Sequence, residues 1–238
     1  MVAGRLTLDP RPSTFRPMRV TSLNLGQPEL LPDPFARDGL NQPWQSAIRK
    51  RAVPGPVRLT EYGPVGDAVA DRRVHGGKDQ AVLAYAESHY ARWQAELGVL
   101  EGLGPGGFGE NLTVQGTDEA EVRLGDIWAV GACRLEVSLP RIPCENLAKR
   151  FAVRDMVKRV TVSGRIGWYL RVLREGDVAP GDVIRVLERP HPEWTVAQAF
   201  RTLVQPKAPA ELKRSLARCP ALPGKWRSKL NALVPEEA

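Results

Sequence analysis

A chain of 238 residues with 42% hydrophobic content and a net charge of +7 is long enough to bury a real core and too apolar for disorder. No apolar run approaches a membrane span, and the first twenty residues lack the continuous apolar stretch of a secretory signal. Three cysteines, Cys133, Cys144 and Cys219, make an odd count with no CxxC pair; this speaks against a disulfide framework or a zinc ribbon and fits a reducing, cytoplasmic setting.

Residues 1–17 are rich in arginine and nearly free of acid, but Pro10, Pro12 and Pro17 oppose an amphipathic helix, so the stretch reads as a flexible leader. From about 18 to 189 the pattern is short and strand-like. "PVRLTEY", "GDIWAV" and "DVIRVLER" read as strands, with Gly-Asp turns at Gly125-Asp126 and Gly181-Asp182. "RLEVSL" alternates cleanly, with Cys133, Leu135, Val137 and Leu139 facing one way. One helix is predicted over "DQAVLAYAESHYARWQAELG", from the stripe Val82, Ala86, Tyr90, Trp93 and Leu97, with Gly98 to end it. Many short strands separated by glycine and proline predict a mainly β fold, a barrel or a sandwich. From residue 190 onward the character changes. Thr195 followed by Gln198 is a capping-box signature, and three short helices set off by prolines form a small all-α domain over 190–238. Cys133 and Cys219 lie on apolar faces and read as core.

Several short stretches carry chemistry. "SAIRKR" supplies Arg49, Lys50 and Arg51, a solvated basic loop unless a phosphate-bearing ligand makes use of it. "VHGGKDQAV" sets His75 before Gly76 and Gly77; a lone histidine is more often structural than a ligand, and no second histidine stands at metal spacing. "GPGGFGEN" contains a formal G-x-G-x-x-G, but a helix precedes it and a strand-like run follows, the reverse of a dinucleotide fingerprint. Its glycines serve tight turns or close approach to a ligand, and Glu110 and Asn111 either bind that ligand or fix the loop. In "SLPRIPCENL", Cys144 stands three residues after Arg141 and follows two stiffening prolines, Pro140 and Pro143. A nearby guanidinium favours the thiolate, the form that attacks electrophiles and ligates metals.

Four separated pieces, "SAIRKRAVPGPVRL", "GDAVADRRVHGGKDQAVLAY", "GGFGENLTV" and "VSLPRIPCENLAKRF", resemble the MOSC domain, named for the C-terminal part of molybdenum-cofactor sulfurases. "GRIGWYLRVLREGDVAPGDVIRV" and the tail from "HPEWTVAQAF" resemble its YiiM-like branch, which adds a three-helix domain. The resemblance runs from about residue 18 to 235. It implies a β-barrel-like fold that binds the molybdenum cofactor, a molybdopterin with one phosphate, with Cys144 as molybdenum ligand. It also implies reduction of N-hydroxylated compounds, including N-hydroxylated purine bases, with electrons from a flavoprotein donor. The alternative is a carrier of molybdopterin or sulfur without turnover. Lys50 matches the basic position near the pterin phosphate; His75, Gly76, Gly77, Glu110, Asn111, Ser138 and Arg141 match positions around the cofactor pocket. Two residues depart from the pattern: Leu139, where relatives often carry glutamine, and Arg49, where a small residue is common. A nucleic-acid role rests on basic charge alone, without a recognition signature.

Overall fold

The alternation of "RLEVSL" becomes the longest strand among the described residues. The computed structural model describes residues 17–36, 42–73 and 75–234. Except for Pro17, the predicted leader lies outside the described residues. In chain order the strands are β1 (Arg19–Leu25), β2 (Glu29–Leu31), β3 (Trp44–Ser46), β4 (Arg51–Val53), β5 (Val57–Thr60), β6 (Gly63–Pro64), β7 (Val82–Ala86), β8 (Leu112–Gln115), β9 (Ile127–Val130), β10 (Cys133–Pro140), β11 (Trp168–Arg174), β12 (Gly176–Val178) and β13 (Ile184–Glu188). Helices α1 (Ser88–Leu97), α2 (Asn146–Phe151) and α3 (Met156–Ser163) interrupt them, and α4 (Val196–Val204), α5 (Ala210–Ala217) and α6 (Gly224–Leu233) close the described chain.

Eight strands form one sheet in the order β13-β9-β10-β11-β7-β8-β1-β4. It curls until β1 meets the start of β13: Ile184 N–H donates to Met18 O, Val20 N–H to Asp182 O and Gly181 N–H to Val20 O, at 2.7–2.9 Å. These bonds pair backbone groups that would otherwise stand on open edges, so the sheet is a barrel. Its interior holds the predicted face of β10 as far as Val137, with Cys133, Leu135 and Val137 buried; the register shifts between Val137 and Leu139, so Leu139, also buried, pairs with Tyr169 and leaves the predicted alternation. Trp128 and Trp168 meet there edge to face, with ring centroids 6.0 Å apart.

The helix predicted from residue 79 is half strand. Val82–Ala86 forms β7, and only Ser88–Leu97 is helical. Every residue of β7 is buried, between β11 on one side (antiparallel) and β8 on the other (parallel). A short run apolar on both faces fits a central strand as well as a helix, and periodicity cannot separate the two. The parallel pairing then requires a crossover, which α1 and the glycine-rich loop supply. Helices α2 and α3 had no sequence prediction.

At the other end Thr195 caps α4: its hydroxyl accepts the Gln198 N–H at 3.0 Å. Val196 N–H donates to Val122 O and Leu124 N–H to Trp194 O, which ties the three-helix domain to the barrel. Phe200, Leu216, Cys219, Leu222 and Leu230 are buried and continuous with the barrel core. No helix of the described residues is long and apolar enough to cross a membrane.

Candidate functional site

Where β10 ends, the chain leaves the barrel and presents Cys144. Arg141 N–H donates to Gly167 O at 3.1 Å, and Leu147 N–H to Cys144 O at 3.1 Å, so the turn is pinned on both sides before α2 begins. Pro140 restricts the backbone just before the first anchor, and Pro143 between the two. Cys144 is half-buried, whereas Cys133 and Cys219 are buried in the core.

Cys144 lines a cavity of about 1000 Å³. Its walls come from residues 45–50, from the loop 62–81, from the end of the glycine-rich loop, from the turn 141–146 and from Tyr169 of β11. Burial pushes the Cys144 thiol up. A hydrogen bond from His75, the positive charge of Arg141 and the Asn146 N–H together outweigh burial, and the thiol ends below its ordinary range. Burial instead pushes Cys133 up to about 11 and raises Cys219. The cavity therefore holds the cysteine best able to act as a thiolate.

Among the residues singled out from sequence, Lys50, His75, Gly76, Gly77, Asn111, Arg141 and Cys144 line this cavity. Glu110 and Ser138 do not, and both are fully buried. Glu110 anchors the glycine-rich loop: its carboxylate accepts the N–H groups of Gly106 and Phe108 and the hydroxyls of Tyr90 and Thr113. Burial raises its pKa, while the bonds from Tyr90, Gly106 and Thr113 lower it. It fixes the loop, one of the two roles open to it from sequence. The Ser138 hydroxyl lies against the carbonyls of Asp79 (2.6 Å) and Tyr169 (3.1 Å), where it joins the turn 78–80 to β11. The loop itself needs its glycines. Gly106 has φ +84°, and a Cβ there would stand 2.8 Å from Lys50 O.

Lys50 is engaged as well. Its ammonium pairs with Asp67 at 2.5 Å, the two side chains being 7% and 9% exposed. Asp67 also accepts the Gly26 N–H (2.7 Å) and the Asn111 amide (2.8 Å). Asn111 in turn accepts the Leu83 N–H, so its side chain is committed to the frame of the cavity. Burial lowers the Lys50 pKa, while Asp67 raises it. Lys50 is thus a cavity residue whose charge is already balanced. Sequence reading gave Asp67 no role; the signal was its place in "GDAVADRR", within a piece of the MOSC resemblance.

The residues fit a metal that arrives with ligands of its own. Among the described residues no three His, Cys, Asp or Glu side chains converge as a metal site. One thiolate is a soft single ligand, and the cavity is roomy enough for a cofactor of organic size. Arg141 has a buried Nη1 with no partner and a long contact, 3.4 Å, from Nη2 to Phe108 O. A buried guanidinium with unused donors is what an anionic or oxygen-rich ligand would complete.

Comparison with known proteins agrees with this geometry. A family model of the MOSC domain matches residues 71–185, and one of the YiiM-like 3-alpha helix domain matches residues 194–233. The protein YflK of Bacillus subtilis (strain 168) is 38% identical over 223 residues, 92% of this chain and 97% of that protein. A protein of Gibberella moniliformis named reductase is 39% identical over 180 residues, 75% of this chain but 31% of that longer protein. The crystal structure of YiiM from Geobacillus stearothermophilus superposes with a TM-score of 0.75 at 29% identity, over 92% of this chain and 100% of that one. With a barrel that ends on Cys144 and a three-helix domain bound to its side, the chain belongs to the YiiM-like branch of the MOSC-domain family.

Proposed function

We propose that this protein is a molybdenum-cofactor-dependent reductase of N-hydroxylated compounds. The observation that carries the reading is Cys144: a thiol shifted toward thiolate by His75 and Arg141, at the wall of a large cavity. Support comes from the MOSC match and from a relative named reductase. Cys144 would ligate the metal. Arg141 would meet an anionic part of the cofactor. Lys50 has three N–H groups and spends two on Asp67, so its third can meet the pterin phosphate. The bound cofactor would supply two-electron redox chemistry, while the chain supplies orientation and electrostatics. In the overall reaction R–NH–OH, two electrons and two protons give R–NH₂ and water; the N–O bond breaks and N–H and O–H bonds form.

Protein expressed in a molybdenum-replete host should contain molybdenum and pterin in equal amounts. It should also reduce an N-hydroxylated purine base with a chemical reductant. Absence of both would refute the reading. A bound cofactor without turnover would turn it into the carrier.

The electrons would come from a flavoprotein. From Pro190 onward the chain has eight Lys and Arg against four Asp and Glu, a net +4. That excess suits encounter with an acidic donor surface, and the benefit fades with salt. Lys213→Glu with Arg218→Glu should slow turnover with a protein donor and leave turnover with a small reductant unchanged. Equal loss of both rates would show that the helices serve the fold alone.

A further inference from the structure

Tyr169 stands out on the cavity wall because its hydroxyl has no use within the chain. The strand β11 fixes the residue from both sides: Tyr169 pairs with Leu139 of β10 and with Leu83 of β7. Its neighbours Trp168 and Leu170 point into the core and are fully buried. Alternation then turns Tyr169 to the opposite face, where it lines the cavity beside Leu83. The ring is therefore held as rigidly as the barrel itself.

Tyr169 is half-buried; the two buried phenols, Tyr85 and Tyr90, are employed. Tyr85 donates to Arg165 O and accepts from the Trp93 indole, and Tyr90 donates to Glu110. The Tyr169 hydroxyl makes no hydrogen bond among the described residues. The groups that act on it electrically are Arg141 and Cys144, which places it in their company. A phenol keeps its proton at neutral pH, so Tyr169 is a standing O–H donor. A fixed donor that faces the cavity and has no partner among the described residues is free to bond what the cavity holds.

We infer that Tyr169 is a specificity-determining residue that donates a hydrogen bond to the oxygen of the substrate's N–O group. This rests on the reductase reading above. Substrate and product differ by that one oxygen, so a donor aimed at it tells them apart and favours release of the amine. A single hydrogen bond of this kind is worth about tenfold in affinity.

The test uses the cofactor-loaded protein without a reductant, with an N-hydroxylated purine base and the corresponding amine as probes, and reads affinity by calorimetry. Wild type should bind the hydroxylated base about tenfold more tightly than the amine. Tyr169→Phe keeps the ring, and should lose that preference while its affinity for the amine and its molybdenum content stay at wild-type levels. Three results would overturn the inference: an unchanged preference, an equal loss for both ligands, or a fall in molybdenum content, which would make the hydroxyl a cofactor contact. If wild type loads cofactor but neither binds nor reduces the hydroxylated base, the reductase reading fails and takes this one with it. If wild type reduces the base and Tyr169→Phe discriminates as wild type does, only the role of Tyr169 falls.

Discussion

Cys144→Ser should yield a folded protein that carries no molybdenum and reduces N-hydroxylated bases at the background rate. The side chain is half-buried at a cavity wall, so its loss opens no void in the core. The melting temperature should therefore move little. Cys133→Ser is the contrasting case. Its sulfur is buried in the barrel and donates to Gly176 O at 3.1 Å; a hydroxyl there can keep the bond, but is costlier to desolvate. That variant should lose roughly 1–2 kcal/mol of stability and keep its cofactor. The thiols should differ in reactivity too. Lowering of the Cys144 pKa in the fold means that its thiolate contributes stability above the unfolded pKa, and that this is lost as pH falls through the folded value. In protein freed of cofactor, an alkylating agent near neutral pH should therefore label Cys144 ahead of Cys133 and Cys219, whose pKa values are raised. Wild-type molybdenum content in Cys144→Ser would end the ligand assignment.

The parts legible in the sequence are those governed by local rules. The first part of β10, Cys133 to Val137, could be read because one face is core and the other is not, and period two follows from that; beyond it the register shifts and both faces are buried. The Thr195 cap could be read because the bond to Gln198 spans three residues. Cys144 could be read because Arg141 and two prolines are its sequence neighbours. What the sequence hid was set by distant partners. β7 looked helical because its burial on both faces comes from β8 and β11, one of them paired across a crossover. His75 looked like a lone histidine because the thiol it meets lies 69 positions on in the chain. Glu110 and Ser138 matched pocket positions by motif, but the fold turns them inward to hold the walls rather than the contents. Tyr169 sat in a stretch quoted for the YiiM-like resemblance with nothing to distinguish it, since a missing hydrogen bond is visible only in three dimensions.

The ion pair of Lys50 and Asp67 changes what substitution at Lys50 should do. As a surface cation near a phosphate, Lys50 would be replaceable at the expense of cofactor affinity alone. Paired inside the cavity wall, its removal strands a carboxylate that is 9% exposed. Lys50→Ala should then cost the protein about 3–5 kcal/mol, the usual penalty for breaking a buried pair from one side. Asp67 would keep two of its donors, Gly26 and Asn111, which places the expected value toward the lower end of that range. The double variant Lys50→Ala with Asp67→Asn removes both charges and should recover most of the stability. It also isolates the phosphate contact. If the third N–H of Lys50 meets the pterin phosphate, the double variant should fold well and still retain cofactor poorly, by roughly the 1.5–3 kcal/mol of a charged hydrogen bond. If it folds well and holds cofactor as wild type does, Lys50 serves the frame alone. Thermal unfolding and molybdenum content, measured on the same three preparations, separate the two roles. A Lys50→Ala protein as stable as wild type would show that the pair carries no weight in the fold.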